Sequence, residues 1–302
     1  MGVENVESFL KWLSRWKTEH EAMLEDFKYS LHLLRRSPLS MVGLILISAF
    51  VLIAVFAPLL TKYDPIEQDL QSRLQPPCWD NPFGRDQLGR DILSRVIYGS
   101  RISLRIGITV IAIAATTGTV LGVVAGYLGG IIDEIVMRIT DMFLAFPSLI
   151  LAMAISAALG RSLDNTVIAI GIVAWPTYAR LARSQTLSVK EEQFVEAVRS
   201  LGASRKRIIF SHILPQCLPS IIIQATLSMG GIMLTAAGLG FIGFGAEPPI
   251  PEWGVMISDG RNFIMREWWV STFPGLAMLF AVLGFNLLGD GLRDVLDPRL
   301  RR

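Results

Sequence analysis

One polar segment of the chain collects the residue types that could do chemistry, and it lies between long apolar runs. Residues 196–215 read EAVRSLGASRKRIIFSHILP, with a carboxylate at Glu196, a glycine at Gly202 and an imidazole at His212. The three His residues of the chain form no ligand pattern, and no catalytic set accompanies Glu196. The chemistry that this segment can supply is therefore non-covalent: it can present a charged helix to a partner.

The local sequence places Glu196 on a short helix. Residues 190–201 favour helix, and Gly202 can take the left-handed conformation that ends one. Ser204 can cap the next turn, and Pro215 marks the return of the chain towards the membrane. We therefore expect a short helix across the membrane face with Glu196 presented to a partner. The alternative is an ordinary basic loop with a helical hairpin.

The sequence lacks nucleotide-binding and catalytic motifs. A phosphate-binding loop needs Gly-Lys followed by Ser or Thr, and the chain contains no Gly-Lys dipeptide. His20 and Glu21 begin like a zinc-protease motif, but Leu24 stands where the second His is needed. We expect no enzymatic activity, no cofactor and no metal, and any ATP would be bound by another polypeptide.

The composition indicates a polytopic membrane protein. Of the 302 residues, 52% are hydrophobic, and a bilayer core about 30 Å thick needs roughly 20 apolar helical residues. Charge-free runs cover 37–61, 142–160, 213–246 and 268–289, and a further run begins at 106 and extends to 132. A shorter run, 165–179, needs flanking residues such as Leu163 and Leu181 to complete a crossing. The sequence predicts an all-α membrane protein with six transmembrane helices.

The distribution of Lys and Arg predicts the orientation of these spans. Basic residues adjoin the first span, crowd the loop that contains Glu196 and dominate the tail, so all three regions are expected to be cytoplasmic. Basic residues between 62 and 100 argue against this assignment. Three cytoplasmic regions must, however, be separated by even numbers of crossings, and six spans meet this requirement, so we keep the assignment. The predicted organisation is a cytoplasmic amphipathic segment 1–36, a first transmembrane helix 37–61, an extracytoplasmic loop 62–100, a five-helix core 101–292 with a cytoplasmic loop at 188–212, and a cytoplasmic tail 293–302. Segment 1–36 is either an interfacial helix or a helix packed on the cytoplasmic face of the protein.

Charged residues between the second and third spans are expected to have a structural role. Helical spacing predicts that Arg138 pairs with Glu134 and Asp141, and this interpretation is favoured over contact with substrate. Glycines in two of the spans predict surfaces where helices approach closely; they are Gly118, Gly122 and Gly126 with Gly129 and Gly130 in the second span, and Gly230, Gly231, Gly238, Gly240, Gly243 and Gly245 in the fifth.

The polar segment resembles the loop by which permease subunits of binding-protein-dependent ABC importers engage their ATPases. That pattern runs Glu-Ala-Ala, three residues, Gly, nine residues, Ile, any residue, Leu-Pro. Its residues in this chain are Glu196, Ala197, Gly202, Leu214 and Pro215, with Val198 for the second Ala and His212 for the Ile. Stretches over most of the chain, such as FAPLLTKYDP and DMFLAFPSLILAMAI, look like the C-type permease subunits of dipeptide and oligopeptide importers. In that subfamily a His before Ile-Leu-Pro is usual.

The resemblance implies a type I ABC importer permease fold and a role in coupling to the ATPase for the residues that match the loop: Glu196, Ala197, Gly202, His212, Leu214 and Pro215. It implies a second homologous permease subunit, two ATP-binding cassette subunits and an extracytoplasmic substrate-binding protein as partners, in the lipid bilayer of the cell membrane, and no nucleic acid.

The expected function is to form half of the path by which an ATP-driven importer moves peptides. The same machine importing oligosaccharides or nickel complexes is the alternative. A self-contained secondary carrier or channel is less favoured, because no inverted repeat is evident and the polar loop would have no role.

Overall fold

The computed structural model describes residues 37–296 of the chain. The predicted N-terminal segment 1–36 and most of the predicted tail lie outside this part. The described residues form helices without a strand; they are α1 (Pro38–Leu60), α2 (Ile92–Leu128), α3 (Gly130–Leu144), α4 (Ser148–Leu159), α5 (Leu163–Val189), α6 (Gln193–Ser200), α7 (Arg205–Ile208), α8 (Leu214–Ile242), α9 (Trp253–Gly260) and α10 (Trp269–Leu296). A π turn, Ile209–Ile213, joins α7 to α8.

Four stretches of helix are long and apolar enough to cross a membrane within the described residues. They are α1, α2, the continuous stretch Arg205–Ile242 and α10, and the pair α3 and α4, bent by 94° at its break, makes a fifth if it counts as one span. Helix α5 is long enough but less apolar, because it contains Asp164, Arg180 and Arg183. The predicted total of six crossings therefore depends on α5 and on the bent pair.

Helices α2 and α5 approach each other closely along a row of glycines. A Cβ at Gly118 or Gly122 would overlap the carbonyl oxygens of Trp175 and Ala179, and one at Gly126 would lie 3.0 Å from the carbonyl oxygen of Arg183. This confirms the predicted packing role of these glycines, since only a residue without a side chain allows such contact. Gly129 and Gly130 have no such neighbour; both have positive φ, 67° and 56°, and form the turn into α3.

The loops at one end of the bundle fold together into a layer, which we call the loop layer (residues 61–91 and 243–268). Arg95, at the start of α2, donates to the carbonyl oxygens of Pro65 and Pro249 at 3.0 and 3.4 Å, so it joins both loops. The indole N–H of Trp253 donates to the carbonyl of Val96 at 3.0 Å. The layer is therefore anchored on the first turns of α2.

A buried ionic cluster stabilises the loop layer. Arg90 donates to the Asp86 carboxylate at 2.6 Å, and Arg95 lies 3.6 Å from the same carboxylate. Asp259, from the other loop, lies 3.8 Å from Arg90. Burial raises the pKa of the Asp259 carboxyl, while Gln87 and the two arginines act in the opposite direction.

The sequence places residues 92–100 in an extracytoplasmic loop, whereas the structure places them in the first turns of α2. Asp91 caps this helix by accepting from the backbone N–H of Ser94 at 2.7 Å. The charge of Arg95 interrupts the apolar run in the sequence. In the fold that charge is buried beside Asp86, so it does not end the helix.

We predict that Asp86→Asn destabilises the loop layer by about 3–5 kcal/mol, because it leaves Arg90 and Arg95 buried with too little negative charge. Thermal unfolding of the purified protein in detergent, followed with trypsin cleavage of the loop layer, measures this effect. Asp80→Asn is the matched control, since Asp80 pairs with Lys62 at the exposed surface. Equal melting curves and cleavage rates for the two variants would show that the ionic cluster does not stabilise the layer.

Candidate functional site

Helix α6 carries Glu196 and ends in a fully hydrogen-bonded cap. Gly202 has φ 79°, which confirms the predicted left-handed conformation. Its N–H donates to the carbonyl of Arg199 at 3.0 Å, and the N–H of Ala203 donates to that of Val198 at 3.3 Å. These two bonds form a Schellman motif. The helix is shorter than the predicted 190–201, because Glu192 lies in an extended conformation just before it.

The chain then returns to the bundle through a second capped turn. The Ser204 side chain accepts from the N–H of Arg207 at 3.4 Å, as predicted. The π turn Ile209–Ile213 follows and contains His212. Pro215 has no N–H, and its ring would clash with the carbonyl four residues earlier in a regular helix. The wider π turn directly before α8 accommodates Pro215 without ending the helix.

Val195 connects α6 to the helices of the bundle. Its side chain is fully buried in a cluster that we call the Val195 cluster, and the other buried members are Ala114, Val123, Tyr178, Ala182, Ile208, Ile213, Cys217 and Ile221. These residues belong to α2, α5, α7, the π turn and α8. Burial of a side chain of this size contributes about 1.5–3 kcal/mol. Helix α6 therefore shares one buried cluster with residues of three long helices.

The other side of α6 presents an exposed apolar ridge. Phe194 and Leu201 are 42% and 86% exposed, and Ala197 between them is also exposed. Their spacing, i, i+3 and i+7, places them on one face of the helix. Glu196 is also exposed and directly precedes Ala197 of the ridge. The arrangement offers an apolar contact with a carboxylate beside it, which is suited to docking in a groove of another protein.

Ion pairs brace the helices next to α6. Arg183 forms a two-pronged pair with Asp133, with one N–O distance of 2.6 Å, and Arg180 donates to Asp141 at 2.6 Å. Lys190 donates to the carbonyl of Gly126 at 3.3 Å, in the last turn of α2. A cation there is favourable because the helix dipole is negative at that end.

These pairs correct one prediction. Arg138 pairs with Glu134 as predicted, but Asp141 pairs with Arg180 and not with Arg138. Arg180 and Arg183 belong to α5, which packs beside α3, so Asp141 and Asp133 connect the two helices. Sequence spacing within α3 could not show this.

The six predicted site residues lie along one continuous segment of the structure, from α6 to the start of α8. Glu196, Ala197 and Gly202 lie on or just after α6, whereas His212 and Leu214 are partly buried where α8 begins and Pro215 is exposed. Sequence reasoning missed the anchors Val195, Ile208 and Ile213. The separation of Val195 from Val198 by three residues was the available signal, since it gives α6 one apolar side. Among residues 37–296, no three His, Cys, Asp or Glu side chains are grouped to hold a metal ion.

We predict that Gly202→Val opens the C-terminal cap of α6, because a β-branched residue with φ near 79° is strained by about 1–2 kcal/mol. Hydrogen exchange should become faster at the amides of Gly202 and Ala203, whose bonds define the cap. Gly275→Val is the control: that position is also free of neighbours within 4 Å but does not have positive φ. Unchanged exchange at residues 202 and 203 would show that the cap does not depend on glycine.

Comparison with known protein families gives two matches. The model described as "Binding-protein-dependent transport system inner membrane component" matches residues 118–302, which include the whole candidate site. The model described as "N-terminal TM domain of oligopeptide transport permease C" matches residues 27–77.

Individual relatives are similar over nearly their whole length. The chain is 50% identical to the dipeptide transport system permease protein DppC of Alkalihalophilus pseudofirmus, over 89% of this chain and 88% of that protein. It is 48% identical to the probable D,D-dipeptide transport system permease protein DdpC of Escherichia coli K12, over 88% and 90% of the two chains. Among solved structures, an inward-facing conformation of the MetNI methionine ABC transporter matches with a TM-score of 0.55 at 19% identity, over 68% of this chain and 97% of that one. This last likeness supports the fold alone.

Proposed function

Because the chain belongs to the family of inner membrane components of binding-protein-dependent transport systems, we propose that it forms half of the path by which an ATP-driven importer moves short peptides. The family supplies the permease component of such systems and not the ATPase. The proposed partners are a second homologous permease subunit, two ATP-binding cassette subunits and an extracytoplasmic binding protein.

The observation that carries this proposal is the construction of α6. The helix is exposed on one side, where Phe194, Ala197 and Leu201 form the apolar ridge, and it is anchored on the other by Val195. A helix that only connected two spans would need no exposed apolar ridge. An element that takes up force from a partner needs both a docking face and a rigid attachment.

The attachment explains how nucleotide binding could move the membrane path. In the proposed mechanism, closure of the ATPase pair displaces α6 together with the docked partner. Val195, Ile208 and Ile213 share one buried cluster with residues of α2 and α5, and close-packed interiors transmit displacement instead of absorbing it. The pairs of Asp133 with Arg183 and of Asp141 with Arg180 carry the same motion to α3. The path would open towards the binding protein on ATP binding and reset after hydrolysis.

We further propose six crossings with both termini in the cytoplasm. Helix α5 counts as a crossing although it is the least apolar, because its buried side packs along α2 and its arginines pair with α3. Charged groups in membrane-spanning helices are tolerated where they pair with one another. The bent pair of α3 and α4 counts as one more. This arrangement places α6 on the cytoplasmic side and the loop layer outside.

Peptides are the proposed substrates because relatives with 50% and 48% identity are named as dipeptide and D,D-dipeptide permeases. Oligosaccharides and nickel complexes remain the alternatives for the same machine. No finding on this chain favours either of them.

We predict that Glu196→Lys lowers ATP-dependent dipeptide uptake about tenfold or more, by weakening ATPase docking by at least about 1.4 kcal/mol or by uncoupling hydrolysis from transport. The assay uses vesicles that contain both permease subunits and the ATPases, with binding protein added, and a parallel pull-down of the ATPase subunits. Membrane insertion of the variant and ligand affinity of the binding protein should not change.

Glu191→Lys is the matched control, because Glu191 is an exposed acid of the same loop that lies outside α6. Uptake and ATPase binding at the level of the unsubstituted transporter in Glu196→Lys would refute the role of α6. A functional transporter that moves oligosaccharides or nickel complexes, but not dipeptides, would refute the substrate assignment alone.

A further inference from the structure

An apolar groove runs along the outside of the bundle between α1 and α10, over the first turns of α2. We call it the α1–α10 groove, and its volume is about 600 Å³. Its floor is buried and includes Val96 and Ser100 of α2. Since all three helices are long and apolar enough to cross a membrane, the groove opens at membrane depth. Its rims are 39–52% exposed and consist of Ile53, Leu60, Leu276 and Phe280.

Both polar side chains of the groove are already hydrogen-bonded within the chain. Ser100 donates to the carbonyl of Ile97 at 2.5 Å, and the indole N–H of Trp253 donates to the carbonyl of Val96. The rest of the lining consists of hydrocarbon side chains. A polar solute in the groove would leave its own hydrogen-bonding groups without partners, which is unfavourable. The lining therefore fits a hydrocarbon ligand.

The walls of the groove differ from the surface at which two helices of this chain approach closely. Gly118 and Gly122 bring α2 against the backbone of α5, and small residues are typical of such contacts between membrane helices. The rims of the groove instead carry large side chains such as Leu60 and Phe280, which keep a further helix at a distance. A flexible acyl chain can fill the space between such side chains, because each methylene group that it buries favours binding.

The groove extends over one leaflet and ends at the membrane interface. From Leu46 to Leu60 it follows α1 for fourteen residue steps, about 21 Å, whereas half of the hydrocarbon core is about 15 Å thick. The end at Leu60 adjoins the loop layer. There Trp268 is 49% exposed, and its ring lies 5.8 Å from that of Phe273 in the groove wall. Tryptophan is enriched at the level of the lipid headgroups, so this end of the groove lies where a headgroup begins.

An exposed ion pair lies at this end of the groove. Lys62 follows Leu60 by two residues. Asp80 precedes Phe83, another residue of the groove, by three. The Lys62 ammonium lies 3.0 Å from the Asp80 carboxylate, and the two side chains are 65% and 81% exposed. Exposed pairs of this kind contribute little to stability. Side by side, however, a cation and an anion are complementary to a headgroup that carries a phosphate and an ammonium group.

We propose that the α1–α10 groove binds an acyl chain of a phospholipid from the leaflet on the side of the loop layer, and that Lys62 and Asp80 bind its zwitterionic headgroup. Lys62 donates to the phosphate, and Asp80 accepts from the ammonium group. An anionic lipid without an ammonium group satisfies Lys62 alone and is repelled by Asp80. The inference concerns a lipid and not the transported solute, so it does not depend on the proposed substrate.

Photolabelling of the assembled transporter tests the groove. The nanodiscs consist of phosphatidylglycerol with a trace of phosphatidylethanolamine that carries a diazirine in its acyl chain, and mass spectrometry identifies the labelled peptides. Label should accumulate in residues 273–281. Ala277→Trp should lower this labelling about tenfold, because the indole takes the place of several methylene groups whose burial favours binding. Leu279→Trp is the matched control, since Leu279 belongs to the same helix, is 56% exposed and does not line the groove.

Equal labelling of residues 273–281 in the two tryptophan variants would overturn the inference, because it would show that lipid only coats this surface. Absence of labelling there in the unsubstituted transporter would also overturn it. If labelling then returns when the second permease subunit is omitted, the groove is a contact between subunits. Dipeptide uptake by the same preparations tests the proposed function separately.

A change of charge tests the headgroup. A phosphatidylethanolamine probe should label the groove about threefold more than a phosphatidylglycerol probe with the same chain, a difference typical of exposed ion pairs. Asp80→Lys should reverse this preference, because the site then has two cations, and the exchange of Lys62→Asp with Asp80→Lys should restore it. Glu247→Lys makes an equal change of charge at an exposed site of the loop layer and should leave the preference unchanged. An unchanged preference in Asp80→Lys would refute the binding of the headgroup by this pair.

Discussion

The burial of Val195 is the contact on which the proposed mechanism depends. The side chain comes from a short surface helix, yet it is fully buried in a cluster that also contains residues of three long helices. Without this anchor, α6 would be attached only through its flanking turns, and a force on its exposed ridge would rotate it instead of moving the bundle. The Schellman cap at Gly202 and the π turn before Pro215 serve the same end, because they define the direction in which the chain leaves and re-enters the bundle.

The two ends of the protein contain ion pairs that differ in how deeply they are buried. The loop layer places a buried ionic cluster of Asp86, Arg90, Arg95 and Asp259 between its two loops, and such clusters are sensitive to the loss of one partner. The opposite end pairs α3 with α5 through more exposed ions, and exposed pairs individually contribute little. The buried cluster is suited to a surface that stays fixed, and the exposed pairs are suited to helices that shift during the transport cycle. Between them, α8 contains no charged residue.

Local features of the fold and of the site could be predicted from the sequence, whereas pairings between distant residues could not. The left-handed Gly202, the cap at Ser204 and the close packing at Gly118 and Gly122 follow from residue type and spacing. The pairing of Asp141 with Arg180 and the burial of Arg95 depend on which helices become neighbours. The sequence cannot show that the charges of α5 are paired within the bundle. Judged from the sequence alone, these charges therefore argue against α5 as a membrane crossing.

The central claim is that α6 moves as one body with α5, and a distance between spin labels at Ser200 and Ser184 measures this most directly. Both positions are exposed, one on each helix. In a cysteine-free transporter with both ATPases bound, the account predicts the same Ser184–Ser200 distance distribution without nucleotide and in the ATP-vanadate-trapped state. A shift of that distribution between the two states would show that α6 moves independently of α5, and would contradict the transmission of motion through Val195.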